Sequence, residues 1–252
     1  MPRMKLDAAA VSERFPAAAE YLSGIYLIQR DYHKVSNTRL AAWSGVSGSA
    51  VTQALGRLKK LGLARQVRYE NIELTEEGRA LAIKVLRRHY LLEHLMVRML
   101  GYPWEKADDE AKRLQSQISD DLTEHLFEKL GKPQTCPHGN PLPGSSIEAR
   151  LLAAPRLSEA EAGDAVLIVR VTEEGEQVPG MLALCHGQGI QPGAMFRVTG
   201  KDPDFVHLVR LGTAESSPAP ERVSFPLDSA AHVRYEPAPV AASRGARSSG
   251  PE

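Results

Sequence analysis

The sequence predicts an α+β protein in which helices broken by one short hairpin give way, beyond a proline- and glycine-rich loop, to a set of short strands. Three observations predict it. Apolar residues recur at three- and four-residue intervals through most of the first 130 positions. Residues 131–144 then change composition abruptly, with Pro133, Pro137, Pro141 and Pro143 interleaved with Gly131, Gly139 and Gly144. Past that loop, strand-like runs at 164–171, 195–199, 205–211 and 222–226 are separated by Gly and Pro turns, the pattern of a small β barrel.

Taken in order, residues 17–30 read as a helix with Leu22, Ile25, Tyr26 and Ile28 on its apolar face. A turn follows to Asn37, then a short helix over 38–43, a tight turn at 44–48 containing Gly45 and Gly48, and a second helix over 49–61. Val51, Leu55 and Leu58 give that helix its buried stripe, and Gly62 ends it. Two short runs, 63–67 and 72–74, flank a polar turn and make a hairpin. Thr75 is a good N-cap for the next helix, and Glu76 and Glu77 suit the positive end of its dipole. That helix carries Leu81, Val85, Leu92, Leu95, Met96 and Met99 before Gly101-Tyr102-Pro103 stops it. The spacing of Ala107, Ala111, Leu114, Ile118, Leu122 and Leu126 predicts one further helix over 104–130. Its stripe needs a partner, either within the chain or, as the favoured reading, across a dimer interface shared with the Thr75 helix.

The expected division is a helix-turn-helix and hairpin unit at 1–75, a helical unit at 76–144, a linker at 145–160, a β-barrel unit at 161–236 and a disordered tail at 237–252. The 252 residues, 42% hydrophobic, are enough for two or three small cores. No stretch approaches the ~20 consecutive apolar residues that span a bilayer, and the start lacks the apolar block of a secretory signal, so the expected compartment is the cytoplasm. Cys136 and Cys185 lie far apart, which argues against a disulfide framework. No phosphate-cradling glycine loop or dinucleotide fingerprint occurs, and Cys185-His186 has no third partner of a nucleophile motif, so an enzyme is not expected.

Thirty-one basic residues balance 31 acidic ones, yet Arg57, Lys59, Lys60, Arg65 and Arg68 lie in a segment without an acid. A basic segment on a neutral chain is a local electrostatic footprint. A helix, a glycine turn and a second helix opening on small polar residues is the geometry that enters a major groove, and the hairpin behind it makes a wing. Ser47 or Ser49 caps the second helix, and Ser49, Thr52 and Gln53 stand on its leading turn. Gln53 is the candidate for a base edge, since an amide pairs bidentately with adenine. Arg57, Lys59 and Lys60 lie further on and suit phosphates; Arg39 and Arg68 complete the candidate DNA contacts.

The run from Val35 to Ala82, the helices after it to Gly131 and the motif CPHGNPLPG resemble the family of the diphtheria toxin repressor, the iron-dependent regulators and the manganese transport regulators. PRLSEAEAGDAVLIVRV with CHGQGIQPGAMFRV resembles the SH3-like, FeoA-type barrel of longer members. The resemblance implies a winged helix-turn-helix, a helical metal-binding and dimerisation domain and an SH3-like barrel, in a homodimer that represses metal-uptake or metal-homeostasis genes on binding Mn(II) or Fe(II). It also implies one metal site at His89, Glu93 and Asp108, where the family has a histidine in place of Asp108. His89 and Glu93 are four apart and share a helix face, and aspartate is a harder oxygen ligand. Further ligands are expected among Glu173, Glu174, Glu176 and Gln177, with the register open.

The family's second site maps onto Glu20, Lys112, Gln115 and Ser116, a poorer set because a protonated lysine does not ligate and would itself neutralise Glu20. Two readings therefore stand: a single-metal regulator, or a regulator of the same fold in which Lys112 replaces the cation. Metal affinity is expected to fall as pH drops through the ~6.5 reference value of histidine. Cys136 and His138 offer only two donors in a proline-rich loop, short of a four-ligand zinc site, and read as a shaped interdomain turn.

Overall fold

The computed structural model describes residues 15, 17–67, 71–211 and 221–239. Arg68, a candidate DNA contact, and most of the expected tail lie outside the described residues. Helix α1 (Ala18–Tyr32) packs over α2 (Asn37–Ser44) and α3 (Gly48–Lys60), followed by the antiparallel hairpin β1 (Ala64–Gln66) and β2 (Ile72–Leu74). The turn between α2 and α3 is set by side chains. Ser36 and Ser47 cap the two helices by accepting from Arg39 N and Ala50 N, and Gly45 ends α2 at φ +63°. Leu22, Ile25, Leu40, Val51, Leu55, Leu58 and Ile72 form the core of this unit.

Thr75 caps α4 (Glu76–His94) through the Gly78 amide. Gly78 is required there, since a Cβ would stand 1.9 Å from the Leu63 carbonyl oxygen, where the wing meets the helix. α4 continues into a π-helical turn at Leu95–Met99, an insertion often found beside functional side chains. The helix expected over 104–130 is two helices: a 3₁₀ turn at Trp104–Lys106, α5 (Ala107–Leu114), and α6 (Asp120–Lys129). Ser119 explains the break. Its hydroxyl accepts from Leu122 N and its carbonyl from the Thr123 hydroxyl, so a new helix starts there. α6 then folds onto α4, burying Leu126 and Leu130 against Leu91 and pairing Asp120 with Lys84 and Arg88.

The expected linker carries structure of its own: α7 (Glu148–Ala153) and a 3₁₀ turn at Leu157–Glu159, with Leu157 in the C-terminal core. The C-terminal unit is a five-stranded antiparallel sheet of order β6-β5-β4-β3-β7. Its strands are β3 (Ala165–Val171), β4 (Met195–Lys201), β5 (Phe205–Arg210), β6 (Arg222–Pro226) and β7 (Val233–Pro237). β7 runs into the stretch expected to be a disordered tail; it pairs with β3, and Ala238 is buried beyond it. Helices α8 (Glu173–Glu176), α9 (Met181–Gln188) and α10 (Leu227–Ala230) join these strands and were not expected from sequence.

The units are bolted together by buried charge. Arg170 on β3 donates from Nε to Asn140 Oδ1 (2.5 Å) and from Nη2 to Asp31 Oδ2 (2.5 Å), while Arg30 Nε donates to Asp31 Oδ1 (2.9 Å). Burial would raise the Asp31 pKa, but Arg30 and Arg170 outweigh it and hold the carboxyl below its usual value. First helix, proline loop and β-sheet thus meet at one ion network. The loop lies flat on β3 because Gly139 adopts φ +92°, where a Cβ would come within 2.1 Å of the Val169 carbonyl oxygen.

Candidate metal centre and nucleic-acid interface

On α4, His89 and Glu93 project from one face, and α5 brings Asp108 against them. His89 Nε2 stands 2.6 Å from Glu93 Oε1 and 3.1 Å from Asp108 Oδ1, with all three side chains buried. Glu93 Oε1 and Asp108 Oδ1 have no hydrogen-bond partner of good geometry, although both face this one imidazole nitrogen. Such oxygens are costly in a dry interior unless a cation or proton stands between them. Burial opposes charge on His89, yet Glu93 and Asp108 outweigh it and raise the imidazole to about 10. Burial likewise opposes charge on Glu93, but His138 and His89 draw its carboxyl well below the ordinary value; Asp108 is lowered too, chiefly by His89 against the cost of burial.

Within 173–177 the structure separates buried residues from outward-facing ones. Thr172 caps α8 and turns Glu173 and Glu176 inward, both buried. Tyr90 donates its hydroxyl to Glu173, and burial raises both carboxyls. Glu174 instead faces outward, accepting from Tyr32 and standing 3.8 Å from His232. The i, i+3 spacing of Glu173 and Glu176 behind a threonine cap was the available sequence signal.

Of the second set, Glu20, Lys112 and Gln115 line one cavity of about 330 Å³ that also reaches His89, Asp108, Glu173 and Gln177, and touches Trp43 and Gly45 of the helix-turn-helix. Ser116 is exposed and outside it. The expectation that Lys112 would neutralise Glu20 is corrected. Its ammonium donates to Asp108 Oδ2 (2.6 Å) and Gln177 Oε1 (3.1 Å), because α5 places Asp108 one turn away on the same face. Glu20 is exposed. Lys112 therefore stays charged: burial lowers its pKa, and Asp108 more than restores it.

Cys136 and His138 do not stand alone in their loop. His138 Nδ1 lies 3.1 Å from Glu93 Oε2 and 3.6 Å from Glu176 Oε1, and Cys136 Sγ lies 4.0 Å from the same nitrogen. Sequence reading missed this because the two carboxylates come from positions 93 and 176. Cys185 and His186, by contrast, diverge. Cys185 is in the C-terminal core with its thiol pushed up to about 12 by burial, while His186 stacks against Trp104.

At the other end of the chain, α3 presents a polar leading face. Ser47 Oγ contacts Ser49 Oγ (2.9 Å), and Thr52 accepts from Asn37 (3.2 Å) while donating to the Gly48 carbonyl (2.9 Å). These hydroxyls are occupied in holding the turn. Gln53 beside them is exposed. Arg57, Lys59 and Lys60 are exposed at the other end of α3, with Lys59 donating to Gln66 of the wing (2.7 Å). Arg39 is exposed and lies over the Tyr32 ring.

A winged helix-turn-helix joined to helices that gather buried imidazole and carboxylates defines a DNA-binding regulator with a metal-type ligand set. The chain belongs to the family of iron-dependent repressors: residues 15–72 match its N-terminal DNA-binding domain and residues 75–144 its metal-binding and dimerisation domain. The iron-dependent repressor IdeR of Mycobacterium tuberculosis is 32% identical over 228 residues, spanning 86% of this chain and 95% of that one. The diphtheria toxin repressor of Corynebacterium jeikeium is 29% identical over 195 residues, 69% of this chain and 81% of that one. A solved manganese-dependent transcriptional repressor in complex with manganese superposes with TM-score 0.72 at 29% identity, covering 87% of this chain and 99% of that one.

Proposed function

We propose that this chain is a metal-dependent transcriptional repressor that binds operator DNA as a homodimer, with Mn(II) or Fe(II) held by His89, Glu93 and Asp108 and approached by Glu173 from the C-terminal unit. The observation that carries this reading is the pair of unsatisfied oxygens, Glu93 Oε1 and Asp108 Oδ1, facing His89 Nε2 in a buried site. An imidazole with carboxylates suits a borderline-to-hard divalent ion, which would take the place of the proton that His89 otherwise holds between the two oxygens. Family membership supports repression of metal-responsive genes as the output, acting through DNA rather than through catalysis. Among the described residues no helix is long and apolar enough to cross a membrane, in keeping with a cytoplasmic regulator. Exposed Met99, Leu100, Tyr102, Leu114 and Leu122 in the helical unit supply the apolar surface for the second chain.

DNA contacts follow from exposure: Gln53 reads a base, Ser47, Ser49 and Thr52 position the helix, and Arg39, Arg57, Lys59 and Lys60 meet phosphates. The cavity beneath the helix-turn-helix gives the metal a route to the DNA-binding unit, since its wall includes both Asp108 and Gly45.

One observation favours a second reading, in which Lys112 is the permanent cation and no metal is needed: its ammonium already neutralises Asp108. Calorimetric titration with Mn(II) separates the two. The expected result is one ion per chain, lost in His89→Ala and retained in Lys112→Ala. No binding by the wild type would leave the lysine reading in its place.

A further inference from the structure

We propose that Glu93, Cys136, His138 and Glu176 form a second metal site, of zinc type, in which the Glu93 carboxylate bridges to the His89 and Asp108 site. It rests on the preceding reading only in sharing Glu93.

The tautomer of His138 is set by its surroundings. Its Nε2 lies 3.0 Å from the Trp104 carbonyl, which can only accept, so Nε2 carries a proton. Nδ1 then turns to the cluster, with Glu93 Oε2 at 3.1 Å, Glu176 Oε1 at 3.6 Å and Cys136 Sγ at 4.0 Å. A ligating histidine commonly donates its other ring N–H to a backbone carbonyl, which is the arrangement seen here. Tetrahedral zinc, with Zn–N and Zn–O near 2.0 Å and Zn–S near 2.3 Å, requires donors about 3.3–3.6 Å apart, and the three separations bracket that spacing.

Two independent features point to a ligand. The side chains of His138, Glu93 and Glu176 are 0% exposed, yet Glu176 Oε2 has no hydrogen-bond partner. The frame is also rigid. Cys136 N donates to the Asn140 carbonyl, Val171 N to the His138 carbonyl, and Asn140 Nδ2 holds Glu176 Oε1 at 2.5 Å. Glu93 presents Oε1 to His89 and Oε2 to His138, so one carboxylate serves both centres without moving. A thiolate in the set selects Zn(II) or Co(II) over Mn(II), so the two centres differ in the ions they take. Loading releases the Cys136 thiol proton, and any proton shared by His138 Nδ1 and Glu93 Oε2, to solvent.

The test is titration of the chelator-stripped full chain with Co(II), followed by absorption. The first centre holds only nitrogen and oxygen donors, so a thiolate-to-Co(II) charge-transfer band in the near ultraviolet reports the second alone. The expected result is two Co(II) per chain with the band present, bleached by Zn(II) and untouched by Mn(II). Cys136→Ser abolishes the band and keeps one Co(II); His138→Gln weakens the band at least tenfold at the same Co(II) concentration. Asp108→Asn keeps the band and loses the other ion. An Asp108→Asn protein with unchanged stoichiometry would count against the first centre while leaving the second standing. Absence of the band in the wild type, whatever the variants do, or its survival in Cys136→Ser, overturns the proposal.

Discussion

Raising the pH from 6.5 to 8.5 should strengthen Mn(II) binding about a hundredfold, one decade per pH unit. The reason is the state of His89 in the metal-free protein. Glu93 and Asp108 together hold it protonated up to about 10 against the cost of its burial, so an arriving ion must displace that proton. At pH 7 about three units separate solution from this pKa, which corresponds to a penalty of roughly 4 kcal/mol on binding. The sign follows from where the proton sits: only the metal-free form binds it, so acid favours that form and the dependence flattens only near pH 10. The carboxyls of Glu93 and Asp108 are lowered and contribute nothing in this window. The window is displaced from the ~6.5 that histidine's reference value implies, because the acids surrounding this imidazole outweigh its desolvation. Calorimetry in buffers of different ionisation enthalpy should count about one proton released per Mn(II) at pH 7.5. Zero release, with affinity flat from pH 7 to 8.5, would refute the assignment of His89 as a ligand.

The remaining predictions concern DNA and assembly. Gln53→Ala should lower discrimination for the operator by ~1–3 kcal/mol in a footprinting titration, whereas Lys59→Ala with Lys60→Ala should weaken binding to all sequences and reduce the salt slope by about 2. Unchanged operator preference in Gln53→Ala would displace the reading helix. Met99→Glu with Leu100→Glu, on the exposed apolar surface after α4, should convert the dimer to a monomer in sedimentation. A dimer that persists would move the interface elsewhere.

The N-terminal helices and the wing were legible because each rests on local chemistry: serine and threonine caps at 36, 47 and 75, glycine stops, and apolar periodicity. The single helix over 104–130 failed for the same reason. Ile118 and Leu122 continue the stripe across the break, and the competing signal was one serine at 119. β7 and α9 escaped because the first alternates only Val233 and Tyr235 among charges, and the second spreads its apolar residues around the helix. His89, Glu93 and Asp108 were legible through family resemblance and i, i+4 spacing. Glu173, Glu176 and the true partner of Lys112 were not, since they depend on how β3 and α8 dock against α4. The proline loop shows the limit most clearly: Cys136 and His138 look like a bare turn until the fold supplies Glu93 and Glu176.

The central claim is that an ion at His89, Glu93 and Asp108 switches DNA binding on. Fluorescence anisotropy of a duplex selected from the source genome by the Mn(II)-loaded protein tests it, with chelator, with Mn(II), and with Mn(II) plus His89→Ala. The account predicts at least about a tenfold gain with Mn(II), within the usual range of site-to-site coupling, reversed by chelator and absent in His89→Ala. Equal affinity with chelator and with Mn(II) would contradict it.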